Sequence, residues 1–212
     1  MYRTFRSLAL AGVAAVASLV AGVAAAATPI APIGPTVVVL TATPTLVGAG
    51  VSVAPLGSAT AFADASGNLI AAFPITGGTL DPDVSNALVE HAGSGLRLST
   101  TAGAVDLENF LIDTTQPTTT LFGRVTVGST VLPSVDLFTA DDRGFLFLSA
   151  AAGGALEAFL GIPNLSGANV GFALTNPLPV PEPETYALMA VGLGMLVLAR
   201  RRSGRKPSVV AA

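Results

Sequence analysis

The sequence predicts a mainly β, exported domain. It reads as an antiparallel sandwich or barrel between an N-terminal signal helix and a C-terminal transmembrane helix. Three observations carry this. Short runs of alternating apolar and polar residues recur between 59 and 175, with Gly, Pro, Asn and Asp clusters between them. Residues 1–27 open on Arg3 and Arg6, run uncharged from Leu8 to Val23, and close on Ala25-Ala26-Ala27. Residues 186–199 are again free of charge and stop at Arg200-Arg201-Arg202.

In chain order, residues 1–27 have the basic, apolar and small-residue sections of a secretory signal peptide, with Ala25 and Ala27 at the positions a signal peptidase reads. Residues 28–58 are rich in Pro, Ala, Val and Thr. Thr36 to Leu40 is β-branched and apolar, and the prolines around it predict an extended lead-in or an edge strand, because proline cannot donate to a ladder. In the main domain, 59–175, Asn68 to Ile75 is a strand candidate, and Gly77-Gly78 and Asp81-Pro82-Asp83 read as turns.

From 94 to 127 the pattern is clearest. Leu96 and Leu98 alternate with Arg97 and Ser99, and Val105 and Leu107 with Asp106 and Glu108. The apolar parity then moves to Phe110 and Ile112, which predicts a bulge at Glu108-Asn109. After a turn at Thr114 to Pro117, Leu121, Gly123, Val125 and Val127 share one face, and Gly128-Ser129 reads as a two-residue hairpin connection. Val131, Val135 and Leu137 continue beyond it, broken by Pro133. Phe145 to Leu148 is apolar on both faces and predicts a doubly covered central strand. Ala155 to Leu160 is the best helix candidate, and Asn169 to Leu174 a last strand.

The chain has no Cys, so an exported body is held by packing alone, without disulfide, thiol nucleophile or Cys metal site. Seven of the ten Lys and Arg lie at the termini; between 28 and 180 three cations face eleven acids, a net of −8. That balance argues against nucleic acid as a partner.

His91 is the only histidine, so a multi-His metal site within one chain is excluded. A Ser-His-Asp triad would need it, and no Gly-Xaa-Ser-Xaa-Gly elbow accompanies it. Asp141-Asp142 and Asp81-Pro82-Asp83 lack the ligand spacing of an EF-hand and read as solvated turn acids. Paired carboxylates without aromatic platforms make a poor glycosidase site. Thr118-Thr119-Thr120 is not part of a repeated threonine array. The expectation is no catalytic residue, no metal and no cofactor.

The tail is the most informative segment. In the 176–185 linker, Pro181 and Pro183 fix their own φ, disfavour helix before them and remove two donors, so the stretch is stiff and exposed. Thr185 then stands as the cap of the helix at 186–199. Fourteen residues cover roughly 20 Å at ~1.5 Å each, short of a hydrocarbon core of about 30 Å. Arginine snorkelling and an interfacial Tyr186 lengthen the reach. Arg200, Arg201 and Arg202 open a basic tail at 200–212 that the positive-inside bias keeps cytoplasmic.

Pro181-Glu182-Pro183, an apolar helix and a basic cluster, in that order, resemble the PEP-CTERM sorting signal. The resemblance covers about the last thirty residues. It implies an exported bacterial protein processed by a membrane enzyme, exosortase, that recognises Pro181, Glu182 and Pro183 and removes the helix and basic tail. The further partners expected are signal peptidase and the secretion machinery, membrane lipid, and exopolysaccharide. Glu90-His91-Ala92-Gly93-Ser94-Gly95-Leu96 also resembles, over these seven residues alone, the opening of secreted HtaA-like haem-binding modules. The function expected is a structural or binding role at the cell surface or in an extracellular matrix. A secreted haem- or sugar-binding module is the alternative, and a secreted hydrolase comes third.

Overall fold

The computed structural model describes residues 27–203 apart from Val84 and Glu182. The signal helix, Ala25, Glu182 and the tail beyond Ser203 lie outside the described residues.

The domain is one antiparallel, 12-stranded sheet and not a two-sheet sandwich. Its strands are β1 (Thr28–Pro29), β2 (Pro35–Leu40), β3 (Ser52–Gly57), β4 (Thr60–Ala63), β5 (Leu69–Pro74), β6 (Gly77–Leu80), β7 (Ala87–Ser99), β8 (Ala104–Asp113), β9 (Thr119–Val127), β10 (Thr130–Ala140), β11 (Phe145–Leu148) and β12 (Asn169–Leu174). Helices α1 (Thr43–Gly48), α2 (Ala150–Leu160) and α3 (Pro183–Ser203) complete it. The order across the sheet is β1-β6-β7-β8-β9-β10-β11-β12-β2-β5-β4, with β3 on the far half of β7. The sheet curls into a half-barrel. Both partners of β7 extend their ladders by one bond: the Thr76 N–H donates to the Glu90 carbonyl (2.8 Å) beyond β6, and the Ser58 N–H to the Gly93 carbonyl (2.9 Å) beyond β3.

Alternation sets the core. In β5, Leu69, Ala71 and Phe73 point inward between half-buried neighbours. In β8 the inward set is Val105 and Leu107, then Phe110 and Ile112. The switch is the predicted bulge: the β8–β9 register shifts between Glu108 and Leu111, and Asn109 has φ 54°. Asparagine tolerates that left-handed conformation, and its Oδ1 accepts the Gly93 N–H (2.8 Å). Phe110 meets Phe73 edge to face across the interior, centroids 5.0 Å apart. Gly128-Ser129 joins β9 to β10 with Val127 opposite Thr130 and φ 57° at Gly128.

Four expectations are corrected. β2 is no edge strand: it pairs with β12 on one side and β5 on the other, and the lead-in prolines lie at its start and beyond it. β11 sits between β10 and β12 but is covered on one face, with Leu146 and Leu148 buried and Phe145 exposed. Gly77-Gly78 is not a turn but the start of β6; a Cβ on Gly78 would strike the Leu88 carbonyl, so glycine serves close approach there. The candidate helix begins five residues earlier than expected, at Ala150. Ser149 caps it by accepting the Ala152 N–H (3.0 Å), and Gly161 ends it at φ 68°.

Candidate functional site

Beyond β12, residues 176–181 run alongside Pro29–Ala31. The Ala31 N–H donates to the Leu178 carbonyl (2.7 Å), the Val180 N–H donates to the Pro29 carbonyl (2.8 Å), and Ile30 bridges Pro179. Ile30 in turn donates to the Gly78 carbonyl (3.0 Å). Pro177, Pro179 and Pro181 alternate along this segment, so all three missing donors fall on the edge away from Pro29–Ala31. One edge holds the tail to the body; the other is closed to further pairing.

Pro181 is exposed, and α3 starts at Pro183, two residues before the Thr185 cap predicted. Proline suits a first helical position because the donor it lacks is unused there. The helix then carries its apolar side chains into the open. From Tyr186 to Val197 the large ones are 54% to 74% exposed, on every face. A helix that is apolar all round ordinarily lies within a core or in lipid. Its 21 residues end on Arg200, Arg201 and Arg202, in the last turn where the helix dipole favours cations. Among the described residues, however, no helix is long and apolar enough to cross a membrane. The segment expected to span at 186–199 is helical, but its uncharged run is too short to qualify.

Residues 179–203 match the family model of the PEP-CTERM protein-sorting motif. The chain carries a PEP-CTERM sorting signal. Such signals are recognised by exosortase, which makes this an exported protein sorted and processed at a membrane. Neither a curated protein nor a solved structure matches the chain. The match begins at Pro179, so the PEP-CTERM segment includes the two residues that Ile30 and Pro29 hold.

Inside the body, His91 is 1% exposed. Its Nδ1 lies 3.3 Å from the Phe110 carbonyl and its Nε2 2.7 Å from Thr36 Oγ1. A carbonyl only accepts, so Nδ1 carries the proton of the neutral ring. Thr36 Oγ1 is 2.9 Å from the hydroxyl of Thr175, which is exposed. Burial pushes the His91 pKa down, against a smaller upward pull from the Phe110 carbonyl. Nδ1 faces a backbone carbonyl, where a triad places a carboxylate, and the ring is buried. Ser94 Oγ donates to the His91 carbonyl (3.0 Å) and not to its ring.

The acids shape turns. Asp141 Oδ1 accepts the N–H groups of Arg143 (3.0 Å) and Phe145 (2.9 Å). The Ser85 hydroxyl and N–H hold the Asp83 carboxyl below the ordinary range, and Asn68 does the same for Asp64. Arg97 and Arg124 pair across strands with Asp106 (2.6 Å) and Glu108 (2.8 Å). Asp136 differs: its Oδ1 is buried without a partner among the described residues, and burial pushes its carboxyl up.

Sequence reading missed the interior. A cavity of about 200 Å³ lies between the sheet and α2, lined by leucines, valines, alanines and Phe138 without one polar side chain. The signal was there in Ala150-Ala151-Ala152-Gly153-Gly154-Ala155, a helix opening with nothing larger than a methyl group.

Proposed function

We propose that the protein is an exported cell-surface or matrix component of a bacterium, delivered through its PEP-CTERM tail to exosortase. Signal peptidase removes 1–27 at Ala25 and Ala27. The body then lies outside the cytoplasmic membrane while α3 holds it there. The uncharged run enters lipid, with Tyr186 at one interface and Arg200, Arg201 and Arg202 snorkelling to the other. Exosortase reads Pro181, Glu182 and Pro183 and detaches the helix and basic tail. The released body takes a structural or binding role, without catalysis, in an exopolysaccharide layer.

The carrying observation is the matched motif followed by a helix whose apolar side chains find no cover in the body. Exposed leucines, valines and methionines over about 18 Å of helix are unfavourable in water and favourable in lipid. The non-catalytic reading is supported by the burial of His91, whose Nδ1 meets a backbone carbonyl and no carboxylate, and by the turn-capping roles of the acids.

The test is intact mass and cell fractionation in a bacterium that has exosortase, comparing wild type with Glu182→Ala. Wild type is expected without its first 27 residues and without α3 and the basic tail. The variant should keep its tail and remain with the membrane. A variant of normal mature size and location would refute recognition through this motif.

A further inference from the structure

The interior cavity has three features that a packing flaw does not share. It is bounded by small residues on one helix: Ala151, Ala152 and Ala155 of α2 face it, where leucines would fill it. The helix that leaves the space is well made, capped by Ser149 and closed by a left-handed Gly161. Of its two glycines, Gly153 is required, since a Cβ there would collide with Ser166 Oγ.

The third feature is a way in. The cavity reaches the surface at Leu132, which is 42% exposed, and at Ala151, which is exposed. Here the β9–β10 ladder shifts register between Leu132 and Val135, around Pro133. Proline has no donor for that ladder, so strand pairing is interrupted beside Leu132.

The geometry points to a binding site for a small, uncharged, apolar molecule. Water is a poor occupant because it needs two to four polar partners, and no polar side chain lines the space. Haem and sugars are poor occupants for the same reason: both carry polar groups that would go unpaired. A dry cavity of about 150 Å³ accepts benzene, so this one suits a compact hydrocarbon of roughly six to ten carbons. The inference stands apart from the sorting signal, and neither depends on the other.

The test is toluene titration of the full-length protein, followed by methyl NMR. Saturable shifts are expected at Leu107, Leu156 and Val170, which line the cavity, at one site per chain. Leu188 and Leu193 on α3 report non-specific adsorption and should not saturate with them. Filling the cavity with Ala155→Phe should weaken binding at least tenfold with an unchanged circular dichroism spectrum. Absence of saturable shifts at the cavity methyls in wild type would overturn the proposal. So would undiminished binding by a folded Ala155→Phe. Should that variant fail to fold, the wild-type methyl map decides alone.

Discussion

Lowering the pH from 7.5 to 5.5 should destabilise the body through His91. The imidazole is buried, and burial holds its folded pKa below the ordinary 6.5. Among the described residues no acid lies within hydrogen-bond distance of the ring; its two partners are the Phe110 carbonyl and Thr36. Below pH 6.5 the unfolded chain therefore binds a proton that the folded chain refuses, and stability falls as pH falls. The contribution is present above 6.5 and lost downward from there until the folded pKa is reached. One proton gives a slope of at most about 1.4 kcal/mol per pH unit. Most of the loss in this interval falls between 6.5 and 5.5. In a domain of this size that amounts to about 3–6 °C in Tm. The measurement is thermal unfolding by circular dichroism at pH 7.5, 6.5 and 5.5, for wild type and His91→Gln. Asp64, Asp83 and Asp113 carry pKa values below 3.8 and titrate below this window. Asp136, pushed up by burial, contributes with the opposite sign, so the difference between wild type and His91→Gln isolates the histidine. A wild-type Tm flat from 7.5 to 5.5, or an identical slope in His91→Gln, would refute the reasoning.

Two further outcomes follow from packing. Ser149→Ala removes the acceptor for the Ala152 N–H and the donor to the Asp136 carbonyl (2.6 Å), and should cost about 1–2 kcal/mol by urea unfolding. Gly123→Ala puts a Cβ 2.6 Å from Leu137 Cδ1 and 3.2 Å from Phe110 Cδ1, and overpacking of this kind costs about 1–3 kcal/mol. Adding Leu137→Val should recover part of the Gly123→Ala loss, measured as non-additivity in a double-mutant cycle.

The tail and the body are joined without slack. Val180 makes the last backbone bond to Pro29, and Pro181 opens the recognition sequence one residue later. Under the proposed function, the enzyme that reads this motif meets it one residue beyond a backbone bond to the folded domain. The segment beginning at Thr28, just after the proposed signal cleavage, is the strand that holds this site. Pro29–Ala31 and the segment leading into the sorting signal therefore meet at one edge of the sheet.

What was legible beforehand was local. Proline spacing, charge and an uncharged run identify the sorting signal because each acts within a few residues. Likewise, the parity change from Leu107 to Phe110 revealed the bulge, since side-chain direction in a strand has a period of two. The first half of β7 escaped because its core position is a histidine: Ala87, Val89 and His91 alternate as inward residues, and the polar ring breaks the apolar pattern. Only the folded chain supplies Thr36, 55 residues away in sequence, to satisfy that ring. β2 looked like a lead-in for a similar reason, as its partners β12 and β5 are set by long-range pairing that composition does not encode. The cavity belongs to the tertiary structure as well. Small residues in α2 state that space is left, but the curl of the sheet decides whether a neighbour fills it or the space remains.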